Sequence, residues 1–154
     1  MDTLDELVTP ADVALDVDAI VPDTVLSVAA ELIARNHGLP PAEVRAALAA
    51  RERLGCTALG HGVALPHARM AGLERPAAAF VRTRSPLDFG AFDGKPVSCF
   101  LVLVVPAEAA EVHLKLLADA ATLLNDPAFR ASVRGAEAPD DVARLFAQWP
   151  LATD

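Results

Sequence analysis

The chain has 154 residues, 53% of them hydrophobic and 22% charged, which excludes a disordered segment and is enough to bury a core without disulfides or metal. Its 13 Lys and Arg against 21 Asp and Glu leave a net charge of -8, which argues against a sequence-independent nucleic-acid binder, since such proteins gain affinity by neutralising phosphates. The longest apolar stretch, Val97 to Pro106, is too short to span a bilayer, and the acidic start from Met1 to Leu7 lacks the basic and then apolar pattern of a secretory signal. A cytoplasmic chain is expected, with Cys56 and Cys99 as reduced thiols.

Taken in chain order, residues 12–17 alternate polar and apolar and predict a strand. Asp23 is the expected N-cap of a helix whose apolar stripe is Val25, Val28, Ala29, Leu32 and Ile33, closing near Asn36 to Gly38. Pro40 and Pro41 open a second helix, which Gly55 stops. Residues 57–65 are too rich in glycine for a helix and predict a brief strand or extended loop leading to His67. Strands are expected over 77–84 and, buried, over 97–105, joined by an ordered connection or hairpin. A helix over about 109–125 follows, then a shorter one from Asp126-Pro127 and a last one from Pro139 to Gln148; the end after Trp149 is expected to be loose. This alternation predicts a single α/β domain over residues 1–154, ordered from about 4 to 150, with a mixed β-sheet flanked by helices.

Three features carry chemistry. The run Arg51-Glu-Arg-Leu-Gly-Cys-Thr-Ala-Leu-Gly-His-Gly-Val-Ala-Leu-Pro-His67-Ala-Arg69 concentrates glycines and histidines and sets His67 directly behind Pro66, whose fixed φ biases Leu65 toward extended backbone. In the second helix the stripe Val44, Ala47, Leu48 continues by i+7 onto Arg51, so a cation occupies a core-facing slot; a snorkelling or carboxylate-paired guanidinium is the alternative. His113 begins the stripe Leu116, Leu117, Ala120, Leu124, as either an edge-of-core histidine or part of an anion site at a helix start. Seven arginines fall within residues 45–84, so a local anion site is compatible with an acidic whole. Thr57 is a candidate phosphate donor or a turn cap. A metal-dependent hydrolase using His61, His67 and His113 is the reading from another class. The spacings of Cys56, His61, His67 and His113 match no common structural zinc pattern, however, and no metal is expected.

The long run, together with Ser85-Pro-Leu-Asp-Phe-Gly-Ala-Phe-Asp-Gly-Lys-Pro-Val97, Leu103-Val-Val-Pro-Ala107 and His113-Leu114, resembles the signature of enzyme IIA domains of the fructose/mannitol type in the bacterial phosphoenolpyruvate-dependent phosphotransferase system. The resemblance implies that His67 accepts a phosphoryl group, with His113 and Arg51 beside it, and that no cofactor is needed. A chain of this length without a permease or second carrier domain resembles most the nitrogen-regulatory IIA group. That group takes phosphate from a small histidine-containing phosphocarrier protein and regulates partners such as potassium transporters or sensor kinases, meeting the membrane through those partners only. A sugar-specific component passing phosphate to a IIB protein is the alternative within the family. Cys56, His61 and Ala68 depart from the family pattern, which usually has serine, asparagine and glycine there.

Overall fold

The computed structural model describes residues 3–149, so the end after Trp149 lies outside the described residues. After a single helical turn, α1 (Leu4–Leu7), and a short 3-10 turn (Pro10–Asp12), the chain runs through β1 (Val13–Val17), α2 (Pro22–His37), α3 (Pro41–Leu54), β2 (Ala58–Gly60), β3 (Val63–Ala64), β4 (His67–Met70), β5 (Ala77–Leu87) and β6 (Val97–Pro106). A 3-10 segment (Ala107–His113) then leads into α4 (Leu114–Leu124), α5 (Pro127–Gly135) and α6 (Pro139–Gln148).

The strands form one mixed sheet in the order β1-β5-β6-β3-β2, with β4 also paired to β6. β5 and β6 are antiparallel, whereas β1 runs parallel to β5, and β3 and β4 run parallel to β6. Helices cover both faces, as the predicted mixed sheet flanked by helices requires. β6 shows why its sequence is continuously apolar. Cys99, Leu101 and Leu103 belong to the core under α4, α5 and α6, while Phe100, Val102 and Val104 belong to the core under α2 and α3. A strand buried on both faces has no polar alternation to display. In the first core, Phe80, Phe129, Phe146 and Trp149 form a chain of edge-to-face contacts that fixes α5 and α6 against the sheet.

Four boundaries differ from expectation. Val21, not Asp23, is the N-cap of α2, because Pro22 takes the first helical position, where its missing N–H costs nothing; Asp23 instead places its carboxylate in the first turn. The helix expected over 109–125 begins as the 3-10 segment and becomes α-helical only at Leu114. Glycine-rich residues 57–65 form the β2–β3 hairpin, and β5 continues to Leu87, which shortens the connection to β6. His67 itself opens a strand. Its β4 register, His67 opposite Leu103 and Ala68 opposite Val104, anchors it to the central strand.

Candidate functional site

β3 and β4 lie end to end along the same edge of β6, separated by Leu65 and Pro66. Pro66 contributes no N–H to the ladder, but its carbonyl accepts from the Leu103 N–H at 2.9 Å, so the break is stitched to β6. The Leu65 carbonyl is turned toward the ring that follows, and His67 Nδ1 lies 2.9 Å from it. A carbonyl can only accept, so Nδ1 carries the proton and, in the neutral ring, Nε2 holds the free lone pair.

That ring lines a cleft of about 640 Å³ between α3, β4 and the start of α4. Its walls are mainly apolar, from Ala47, Ala50, Leu54, Ala68, Val105 and Leu117. Two guanidinium groups, those of Arg51 and Arg69, supply its cations, and among the described residues no carboxylate lines it. Arg51 extends from the last turn of α3 and donates from Nη1 to the Gly55 carbonyl at 3.0 Å, which holds the side chain at the helix C-terminus where a cation is favoured. The stripe Val44 and Leu48 is fully buried, and one turn later Arg51 emerges half-buried at the cleft, with its hold on the Gly55 carbonyl also matching the alternative of a guanidinium that reaches past the helix end.

The other sequence candidates are distributed differently. His113 is buried at the junction of the 3-10 segment and α4, and that segment packs against β4; the adjacent Leu114 lines the cleft. Thr57 is buried outside the cleft lining. Its N–H and hydroxyl donate to Glu52 Oε2 and Oε1 at 2.9 and 2.7 Å. With its hydroxyl proton committed to a carboxylate, Thr57 ties the β2 entrance to the end of α3 and in this arrangement offers a phosphate no donor. His61 sits in the β2–β3 turn beside the start of β6, whereas His67 faces its far half, so the three histidines of the hydrolase reading do not converge. Among the described residues, no group of three His, Cys, Asp or Glu is arranged to hold a metal ion.

Arg69 also lines the cleft, although no helical spacing in the sequence marks it. Once β4 is known to be a strand, period-two alternation puts Arg69 on the face of His67, with Ala68 and Met70 buried on the other. Reading the segment as an approach to His67 hid that signal.

A family model described as the phosphoenolpyruvate-dependent sugar phosphotransferase system, EIIA 2, matches residues 6–149. The chain belongs to this family. It is 38% identical over 136 residues to the nitrogen regulatory protein of Pseudomonas aeruginosa, covering 86% of this chain and 87% of that one. The crystal structure of the nitrogen regulatory protein IIA-Ntr of Neisseria meningitidis superposes with a TM-score of 0.87 at 36% identity, covering 92% and 97% of the two chains. The mannitol IIA protein of Escherichia coli shares the fold at a TM-score of 0.73 and 18% identity, covering 90% and 98%.

The three departures from the usual IIA pattern have local explanations. Ala68 does not need to be glycine, because it lies in regular strand with its methyl group buried in the core under α2 and α3. His61 adopts a positive φ of 56°, a region where Asn, Asp and His are the enriched non-glycine residues, so histidine can stand where asparagine is usual. Cys56 acts as a small polar turn residue: its thiol donates to the Phe89 carbonyl at 3.1 Å, and its sulfur accepts from the Ala58 N–H at 3.4 Å.

Proposed function

We propose that this IIA protein accepts a phosphoryl group on Nε2 of His67 from a small histidine-containing phosphocarrier protein and regulates partner proteins according to its phosphorylation state. The observation that supports this most is the 2.9 Å contact between His67 Nδ1 and the Leu65 carbonyl, which leaves Nε2 as the nucleophile beside two guanidinium groups. The Nε2 lone pair forms the new P–N bond as the donor's P–N bond breaks, and the donor imidazole keeps that electron pair. The proton stays on Nδ1, where the Leu65 carbonyl stabilises the positive charge of the phosphorylated ring. Phosphoryl transfer needs placement and charge stabilisation more than covalent help. Arg51 and Arg69 supply charge to the equatorial oxygens, and His113 orders the approach from the α4 side.

Regulation follows from the rim. Leu54 and Leu114 are exposed at the cleft, with exposed Val112 two residues before Leu114, an apolar border suited to a docking protein. A dianion added at its centre opposes a partner that covers His67, so donor and regulated partners, of the potassium-transporter or sensor-kinase type, share one face and exclude each other. No helix of the described residues is long and apolar enough to cross a membrane, which fits a role in the cytoplasm with membrane contact through partners.

The test is labelling by phosphoenolpyruvate through purified upstream carriers, with wild type and His67→Ala side by side and a sugar-specific IIB protein added as acceptor. Wild type should be labelled and retain the label, and His67→Ala should remain unlabelled. Full labelling of His67→Ala overturns the acceptor assignment, and rapid passage to the IIB protein overturns the regulatory assignment in favour of sugar transport.

A further inference from the structure

A second cationic pocket, of about 440 Å³, lies at the opposite end of β6 from His67, between the β2–β3 turn and α5. Ser98 at the start of β6 lines it, whereas His67 pairs opposite Leu103, so five residues of strand, roughly 17 Å, separate the two sites. Its lining also includes His61, Lys95, Arg130 and Arg134. In a chain with 21 carboxylates and a net charge of -8, none of Lys95, Arg130 and Arg134 forms an ion pair among the described residues.

The pocket is constructed rather than being a scatter of surface cations. Arg130 and Arg134 stand four residues apart on α5 and so lie side by side. Arg130 is more than nine-tenths buried, with Nη1 donating to the Leu124 carbonyl at 3.1 Å. Arg134 donates from Nη2 to the His61 carbonyl and packs on Gly62, where a Cβ would meet that same nitrogen at 2.7 Å. Each guanidinium thus gives one nitrogen to backbone and retains other N–H donors. The nearby carboxylate, Asp93, accepts the N–H groups of His61 and Lys95 at 2.9 and 3.1 Å, which fixes the turn that carries both side chains. Asp93 and Asp126 feel Lys95 and Arg130 from beyond ion-pair distance, but among the described residues no carboxylate lines the pocket, so the three cations repel one another there and a multiply charged anion relieves that repulsion. Two adjacent guanidinium forks, an ammonium and the Ser98 hydroxyl match the oxygens of two linked phosphates, and Pro86 and Pro96 add an apolar wall.

We propose that this pocket binds a diphosphate-bearing small anion, independently of phosphoryl transfer at His67, and that His61 belongs to it rather than to the His67 site. The experiment is an amide chemical-shift titration of the full chain at fixed ionic strength with inorganic pyrophosphate, inorganic phosphate and ADP. Pyrophosphate should produce saturable shifts centred on His61, Gly62, Ser98 and Arg134, with phosphate weaker. ADP tighter than pyrophosphate identifies a nucleoside diphosphate as the source, and equal affinity identifies the diphosphate alone. Lys95→Glu should weaken pyrophosphate binding about tenfold or more, as expected for the loss of a charged hydrogen-bond donor. Arg45→Glu, the same charge change on an exposed part of α3, should leave it nearly unchanged. Shifts that never saturate, shifts confined to the His67 cleft, or equal weakening by the two variants overturn the proposal.

Discussion

Replacing Arg82 by methionine should cost this fold about 3 kcal/mol, and the structure shows where that figure arises. Arg82 lies on β5 opposite Cys99, with only 12% of its side chain exposed. Its Nη1 lies 2.9, 3.2 and 2.7 Å from the carbonyls of Val133, Arg134 and Ala136, where α5 ends. Two protons serve three acceptors, so the cluster counts as two charged hydrogen bonds, each worth roughly 1.5–3 kcal/mol. Partial rehydration of the freed carbonyls at an exposed helix end lowers the sum to about 3 kcal/mol. The Arg82 contact with Asp16 at 3.4 Å adds little, because Asp16 is 62% exposed and such pairs contribute about 0–1 kcal/mol. Methionine retains the aliphatic volume and removes the donors. Urea unfolding should give the loss of about 3 kcal/mol, and the thermal midpoint should fall by about 6–12 °C for a chain of this size. Asp16→Asn is the companion variant: asparagine tolerates the positive φ of 55° at that position and removes only the ion pair, so stability should change by less than about 0.5 kcal/mol. Equal losses from the two variants would mean that the ion pair, not the carbonyl cluster, holds α5 to the sheet, and the reasoning would fail.

Other consequences can be checked more briefly. Burial raises the Cys99 thiol above its ordinary range, whereas Cys56 is exposed, so a thiol reagent should titrate one group quickly in the native protein and a second only on unfolding. The Trp149 indole N–H, donating to Asp126 at 2.9 Å, is the main cause holding that carboxyl below its usual value. A depressed native pKa gives a stability contribution that is fully present above the unfolded value near 3.8 and is lost as pH falls through the lower native one. Emission from Trp149, the sole tryptophan, should therefore shift to the red on acidification below that value, and the stability difference between wild type and Asp126→Ala should shrink in the same window to the part that a protonated Asp126 keeps as N-cap of α5. Glu52→Ala removes both acceptors of Thr57 and should destabilise the protein by about 1–2 kcal/mol in thermal unfolding and slow the initial rate of His67 labelling. Glu52→Gln, which keeps one acceptor, should recover most of both.

The parts of the fold that were legible are those where one period dominates. α2 repeats its apolar residues at helical spacing, and β6 is continuously apolar because helices cover both of its faces. The segment after β6 was not legible in the same way. Its first helical residues, 107–113, have the composition of an α-helix start, yet the chain there must turn from β6 onto the sheet face, and the tighter 3-10 geometry makes that turn. β4 was missed for a related reason. Four residues ending a glycine-rich stretch have little propensity of their own, and their strand geometry comes from pairing with β6.

The same distinction separates the site residues. Arg51 could be found because a buried stripe made a cation at the next turn conspicuous, and the structure brings it to the cleft beside His67. Arg69 carries no such mark, since its placement follows from the strand that only tertiary pairing creates. Thr57 shows the reverse case: a hydroxyl next to a glycine-rich turn suggests phosphate, but a carboxylate five residues earlier takes its proton. His61 and His67 are six residues apart in sequence, yet β3 and β4 both run parallel to β6 along one edge and carry them to different ends of it. Proximity in a motif therefore does not imply one site. The hairpin turn delivers His61 to Arg134 and Asp93, and the Leu65–Pro66 break delivers His67 to Arg51, so a single glycine-rich segment furnishes two cationic surfaces on a protein whose net charge is negative.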